Sequence, residues 1–214
     1  MIKAVIFDLD GVIVDSFYQS YLVKNKIFKK YGFAITFNEF MEYKGGRARE
    51  MLMGALKAHG KKVDISHLLE ENEKYLIKTF SKKAKPIPGS IELIKQLKKN
   101  WFKIAVASGS QRKKIEAVLS TLKIERFFDS VVSGEDVKKS KPDPQIFLLV
   151  SKRLGIKPEN CLVIEDSQAG IDAARKAGMK SIGFVNKNFS YKLSGADLIS
   201  DSIKKINIKM IRGL

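Results

Sequence analysis

The chain has 214 residues, 44% of them hydrophobic, which is enough to bury the core of one domain or of one domain and a smaller second one. No run approaches the ~18 apolar residues of a membrane-spanning helix, and the first residues lack the basic and apolar regions of a signal peptide. We therefore expect a soluble, cytoplasmic protein that does not bind membranes. The single cysteine, Cys161, excludes an internal disulfide.

The formal net charge is +17, with 40 basic residues against 23 acidic ones. This balance fits a nucleic-acid-binding protein, but only seven of the basic residues are arginines, and the lysines are spread along the chain. Bidentate contacts to phosphates and bases favour arginine, whereas lysine is more often a solvated point charge. We therefore expect no nucleic-acid partner, although nucleic-acid binding remains a remote alternative. We also expect the positive charge to attract small anionic molecules to the protein.

The first predicted element is a buried strand over Ile2 to Phe7, where four apolar residues follow one another. Asp8 and Asp10 come directly after it, with Gly11 next, at the end where strands of open α/β sheets bind ligands. Two carboxylates this close repel each other, and a divalent cation would offset the repulsion. Taken alone, the pair is equally consistent with a turn that caps a helix.

Residues 17 to about 83 carry no strand pattern and show amphipathic helical segments instead. After them, strand and helix patterns alternate, which predicts a parallel sheet with helices on both faces. Ser110 and Ser167 are the predicted N-caps of two of these helices, and Pro144 lies in the first turn of a third. The later predicted strands are Phe102 to Ala107, Ser130 to Val132, Cys161 to Ile164 and Ser181 to Val185.

Four short motifs lie along these predicted elements. They are Phe7 to Val12, with two aspartates; Ile104 to Ser110, a strand ending in a hydroxyl; Lys141 to Pro144, a lysine before a helix; and Leu162 to Ser167, a strand ending in paired acids. In this order they resemble the motifs of the haloacid dehalogenase superfamily, and most of all its β-phosphoglucomutase and phosphoglycolate-phosphatase-like branch. The resemblance implies a doubly wound, Rossmann-like α/β core of residues 1–15 and 86–214, with an all-helical cap of residues 16–85 inserted into it.

The resemblance also implies roles for the acidic residues. Asp8 would be the nucleophile that forms an aspartyl-phosphate, and Asp10 the general acid that then becomes the base activating water. Asp8, the backbone carbonyl of Asp10 and Asp166 would bind Mg²⁺, a cation that prefers oxygen ligands near a phosphate. Glu165 would be either a further Mg²⁺ ligand or a support for the others. Without the other motifs, Glu165 and Asp166 would be interpreted as the acidic start of a helix.

The resemblance assigns the phosphoryl oxygens to Ser108 and Lys141, and Gly109 would add a backbone N–H to the same anion site. Lys141 is favoured over its neighbours Lys138 and Lys139 because two prolines restrict the backbone immediately after it.

Lys44 and Arg47 belong to a basic, glycine-containing loop before a predicted cap helix. In the resembling branch this loop contacts the substrate beyond its phosphate, so we expect both residues to take part in substrate binding. A solvated basic turn is the alternative.

We therefore expect a monomeric, Mg²⁺-dependent phosphatase that hydrolyses a small phosphate ester: a sugar or polyol phosphate, or phosphoglycolate. The main alternative is a phosphosugar mutase of the β-phosphoglucomutase type, which shares all four motifs. Those mutases carry a histidine in the first cap helix, whereas the corresponding residues here, Phe17 to Tyr21, contain none. Asp10 argues against a dehalogenase, which has no need of an acid at that position.

Overall fold

The computed structural model describes residues 1–43, 47–186 and 192–214. The strands are β1 (Ala4–Phe7), β2 (Lys103–Ala107), β3 (Ser130–Val132), β4 (Cys161–Glu165), β5 (Lys180–Phe184) and β6 (Leu198–Ser200). The α-helices are α1 (Phe17–Phe28), α2 (Phe37–Met41), α3 (Ala48–Ala58), α4 (Ile65–Phe80), α5 (Ser90–Lys99), α6 (Arg112–Thr121), α7 (Gln145–Leu154), α8 (Gln168–Lys176) and α9 (Ile208–Arg212). No helix in these ranges has the length and apolar character needed to span a bilayer.

The six strands of the described chain form one parallel sheet in the order β3-β2-β1-β4-β5-β6. β1 pairs with β2 on one side and β4 on the other, so that Phe7 lies opposite Val106 and Ile164. The predicted doubly wound α/β class is confirmed. β6 is not among the predicted strands, because it is a three-residue edge strand without an apolar run to mark it.

The central strands are apolar throughout because both faces of the sheet are covered. Along β1, Val5 and Phe7 pack into one hydrophobic core, while Ala4 and Ile6 pack into the core on the other face. All four residues are 0% exposed. The pleat of a strand imposes this alternation, so a strand buried on both faces needs apolar residues at every position.

Helices α1 to α4 lie between β1 and β2 and are called here the helical insertion (residues 16–85). Within it α4 packs against α1 and α3, and it also packs against α6 of the core. The buried residues of α4 recur every four positions and form one face: Leu68, Asn72, Leu76 and Phe80. The chain enters and leaves the insertion at adjacent points, since Val14 forms a β-bridge with Pro86. That the insertion is a separate domain stays a prediction.

One predicted helix start is wrong and another is correct. Ser110 does not cap α6, because the helix begins at Arg112 after an extended residue, Gln111. The Ser110 hydroxyl instead donates a hydrogen bond to Asp10 at 2.6 Å. Ser167 is the N-cap of α8, and its hydroxyl accepts the N–H of Gly170 at 3.0 Å.

Candidate active site

The carboxyl ends of three neighbouring strands bring predicted site residues together. Asp8 follows β1, Ser108 follows β2 and Asp166 follows β4. Because these parallel strands are in register, the three residues lie at one edge of the sheet. The N–H of Asp8 extends the ladder by donating to the Ile164 carbonyl oxygen at 3.0 Å. The strand order changes direction between β1 and β4, and open α/β sheets bind ligands at such a point.

The Lys141 ammonium joins the acidic ends of β1 and β4. It donates to Asp8 Oδ1 at 2.6 Å, to Glu165 Oε1 at 2.5 Å and to a backbone carbonyl oxygen at 3.2 Å. Burial works to lower the pKa of Lys141, but Asp8 and Glu165 outweigh burial and raise it. The alternatives Lys138 and Lys139 are both exposed, so Lys141 is the lysine of this segment that lies at the strand ends.

The Asp10 carboxylate is held by a second lysine and by two hydroxyl groups. Lys114 donates to both carboxylate oxygens, at 2.6 and 2.8 Å, and Ser110 donates to Oδ2 at 2.6 Å. Ser16 donates to Oδ1. Burial works to raise the pKa of Asp10, but Lys114 and the hydroxyl groups hold it below its ordinary value. Asp10 is therefore an ionised carboxylate fixed in one orientation.

Negative charge exceeds positive charge around Asp8. The residue is 5% exposed, and burial raises the pKa of its carboxyl well above the ordinary value despite the ion pair with Lys141. Glu165, Asp166 and Asp10 raise that pKa further. Asp10 has its own lysine partner, and the ammonium of Lys141 is shared by Asp8 and Glu165, so these two carboxylates carry one more negative charge than Lys141 balances.

Glu165 is a fully buried acid that holds other site residues in place. Its Oε1 accepts from Lys141, while its Oε2 accepts the N–H groups of Asp166 and Ser167 at 2.9 and 2.8 Å and the Ser167 hydroxyl at 2.8 Å. Gly170 leaves the space for this carboxylate, because a methyl group there would overlap it. Both Glu165 oxygens are thus engaged by protein donors.

Asp166 lies against the loop that follows β1. It is 2% exposed, and a side chain at Gly11, whose φ is +86°, would overlap its carboxylate. The acids here are all carboxylates with a local excess of negative charge, which is a donor set that suits Mg²⁺. No three His, Cys, Asp or Glu side chains of the described ranges form a metal cage. Mg²⁺ does not need one, because it is usually bound by one or two carboxylates together with water and phosphate.

A cavity of about 90 Å³ lies beside these residues, between the sheet edge and the helical insertion. The predicted site residues that line it are Asp8, Asp10, Ser108, Gly109 and Arg47. A water-sized group takes about 10–15 Å³ of such space, so the cavity has room for a small molecule rather than a polymer.

Arg47 connects the helical insertion to the core. Its guanidinium donates to the carbonyl oxygen of Lys138 at 3.1 Å and to that of Val137. A second contact follows on α3, where Glu50 accepts the hydroxyl of Ser140. These contacts hold α3 against the segment that leads to Lys141. Lys44, the other predicted residue of this loop, lies outside the described residues.

The sequence model of the haloacid dehalogenase-like hydrolases matches residues 5–184. The chain belongs to this family. It is 34% identical over 186 residues to a phosphorylated carbohydrates phosphatase of Thermotoga maritima (84% of this chain, 83% of that protein), and 30% identical over 217 residues to the β-phosphoglucomutase of Bacillus subtilis (98% and 93%). The crystal structure of a β-phosphoglucomutase from Clostridium difficile superposes with a TM-score of 0.89 at 34% identity, covering 100% of this chain and 96% of that one. The expected superfamily and the expected hydrolase class are confirmed.

Two lysines of this haloacid dehalogenase-like hydrolase line the cavity without having been predicted there. Lys114 on α6 and Lys24 on α1 are 5% and 6% exposed. The sequence held a signal for both lysines, because each lies at helical spacing from buried residues. Lys24 falls four residues after Ser20 and three before Ile27, on the buried face of α1. Lys114 falls four residues before Val118, on the buried face of α6. A lysine at an apolar helical position is the pattern that marks such a residue.

Proposed function

We propose that this hydrolase is a Mg²⁺-dependent phosphatase that acts on a small phosphate ester, a sugar or polyol phosphate or phosphoglycolate. The observation that carries the proposal is the contact of Lys141 with Asp8 at the end of β1, beside a cavity that Ser108 and Asp10 also line. The similarity to a phosphorylated carbohydrates phosphatase supports the substrate class.

The first transfer uses Asp8 as the nucleophile. Its carboxylate oxygen attacks phosphorus, the new Asp8–phosphorus bond forms, and the bond to the leaving oxygen breaks. Lys141 balances the charge of Asp8 and of the phosphoryl group, while the Ser108 hydroxyl and the N–H of Gly109 bind phosphoryl oxygens. Asp10 is ionised in the free site, so it takes up a proton as the anionic phosphate enters, and it then gives that proton to the leaving oxygen, which departs as an alcohol.

The second transfer uses Asp10 as a base. Water attacks the phosphorus of the aspartyl-phosphate, Asp10 takes a proton from that water, and the bond between phosphorus and Asp8 breaks. The ion pair with Lys114 favours the ionised form of Asp10, which is the form that accepts a proton. Free Asp8 and inorganic phosphate are the products.

Asp8, Asp166 and the backbone carbonyl of Asp10 would hold Mg²⁺. The cation supplies positive charge to the phosphoryl group during transfer. We assign Glu165 to positioning Lys141 rather than to the cation, because Lys141 donates to its Oε1 while the groups of Asp166 and Ser167 donate to its Oε2. The helical insertion would act as the cap, with Arg47 holding it closed over the substrate.

A phosphosugar mutase is the second candidate, and the similarity to β-phosphoglucomutases favours it. A mutase returns the phosphoryl group from Asp8 to a sugar instead of to water. The absence of a histidine from Phe17 to Tyr21, where those mutases carry one, favours hydrolysis.

The test is phosphate release from a panel of sugar, polyol and short-acid phosphates, with Mg²⁺ or with EDTA. Asp8→Asn keeps the shape of the side chain and removes the nucleophilic charge. We expect phosphate release to be lost in this variant, and to be lost in the wild type when EDTA removes Mg²⁺. Asp10→Asn should lose most turnover and still bind substrate.

The other candidate functions give different results in the same experiment. Isomerisation of a sugar phosphate in the presence of a sugar bisphosphate, without net phosphate release, would establish the mutase. Salt-dependent binding of DNA or RNA that is unaffected by Asp8→Asn, with no turnover in either assay, would establish the nucleic-acid-binding alternative.

A further inference from the structure

The Lys24 ammonium is buried in the cavity wall without an acidic partner in contact. It comes from α1 of the helical insertion and lies 5.3 Å from the centre of the Phe40 ring. No hydrogen bond or ion pair within the described chain engages it, in contrast to Lys114 and Lys141, which both pair with carboxylates. A buried ammonium without a counter-charge is costly, so a lysine kept in such a place indicates an anion that arrives from outside.

A serine one turn away also lacks a partner. Ser20 is 5% exposed and lines the same cavity, and among the described residues its Oγ has no hydrogen-bond partner. It lies four positions before Lys24, so both side chains lie on one face of α1. A hydroxyl and an ammonium on one helix face are donors that a carboxylate or a phosphate would satisfy together.

The opposite wall adds positive charge. Lys114 projects from α6 and is close enough to Lys24 that, after burial, it is the main cause that lowers the pKa of Lys24, to about 7. The two ammonium groups face one carboxylate, that of Asp10, which leaves a formal charge of +1 at this end of the cavity. The Asp8 end of the cavity carries the excess of negative charge described above. The Asp8 end therefore favours a cation, whereas the Lys24 end favours an anion.

We propose that Lys24, Ser20 and Lys114 form an anion-binding subsite, and that the natural substrate carries a second anionic group, a carboxylate or a phosphate, besides the phosphate that is hydrolysed. This rests on the proposed phosphatase function for the position of the reacting phosphate. A neutral sugar or polyol tail would leave the Lys24 ammonium buried and uncompensated. Apolar residues around the cavity, among them Phe40 and Leu76, strengthen the attraction by excluding water.

Three esters of one skeleton test the subsite. They are glycerol phosphate, the phosphoglycerate in which its terminal CH₂OH is oxidised to a carboxylate, and glycerol bisphosphate. We expect kcat/KM for at least one of the two anionic esters to exceed that for glycerol phosphate by about 10- to 100-fold, the effect of a hydrogen-bonded charge pair. Which ester is preferred identifies the second group as carboxylate or phosphate.

Lys24→Met removes the ammonium and keeps the length of the side chain. We expect it to abolish the preference, mainly by raising KM for the anionic esters, so that the variant hydrolyses these esters no faster than glycerol phosphate. The matched control is Lys29→Met, an exposed lysine at the end of the same helix, which removes the same charge outside the cavity. This control variant should prefer the anionic esters over glycerol phosphate by the same factor as the wild type. That result would exclude a general effect of the net charge of the protein.

Binding without turnover separates the two proposals. Calorimetry compares phosphonopropionate with propylphosphonate, which differ by one carboxylate. If all three esters are hydrolysed in an Asp8-dependent manner but without preference, the phosphatase stands and the subsite is refuted. If no ester is hydrolysed but phosphonopropionate binds at least about tenfold more tightly in the wild type and not in Lys24→Met, the subsite stands and the phosphatase is refuted. If Lys24→Met weakens the binding of phosphonopropionate and of propylphosphonate by the same factor, the subsite is also refuted.

Discussion

The buried Lys24 ammonium lowers the free energy of unfolding, and replacing Lys24 should measure by how much. Burial, with Lys114 nearby, lowers its pKa from 10.5 to about 7. The unfolded chain therefore binds the proton of this lysine more tightly than the folded chain, so protonation favours unfolding. The penalty is absent above pH 10.5, grows by about 1.4 kcal/mol for each pH unit below it, and is complete below about pH 7.

Lys24→Met removes this penalty while leaving a side chain of similar length in the apolar wall. At pH 7 the variant should gain about 4 kcal/mol in its free energy of unfolding, and at pH 10 only about 1 kcal/mol. Urea unfolding of wild type and variant at the two pH values measures the difference, in which the titration of groups that do not interact with Lys24 cancels.

Two further measurements complete the experiment. Lys29→Met, with its exposed lysine, should show no pH-dependent difference from the wild type. A saturating anionic ligand should raise the stability of the wild type towards that of Lys24→Met, because it supplies the missing counter-charge. A gain that is the same at pH 7 and pH 10, or a loss of stability in Lys24→Met, would refute the reasoning.

Three other substitutions test the neighbouring structure. Lys141→Met leaves two buried carboxylates without their counter-charge and should cost about 3–5 kcal/mol in urea unfolding; an unchanged midpoint would contradict the ion-pair assignment. Arg47→Met removes two hydrogen bonds between the start of α3 and the core and should raise KM more than it lowers kcat, whereas Arg49→Met, at an exposed position, should leave both unchanged. Thr36→Ala breaks the capping box with Glu39 at the start of α2 and should cost about 1 kcal/mol with unchanged turnover, which thermal unfolding and a rate assay check.

The sequence alone determined the α/β class and the positions along the chain of five of the six described strands. The continuous apolar run of β1 is readable because burial on both faces leaves no polar position. Short, local signals of the same kind located Ser167 at the start of α8 and Asp8 at the end of β1. The three-residue edge strand β6 offers too short a pattern to be recognised.

Only the tertiary structure decided which charged groups meet. Lys114 contacts Asp10 across 104 positions of the sequence, and Lys141 contacts Asp8 across 133. Ser110, a reasonable helix cap by its local sequence, donates to Asp10 because the sheet places the ends of β1 and β2 side by side. Lys24 is one of 33 lysines in the chain, and its place on the buried face of α1 is what distinguishes it from the exposed ones. Local sequence sets backbone preference and burial, whereas the partner of a charge depends on how distant segments pack, and that is fixed by the fold as a whole.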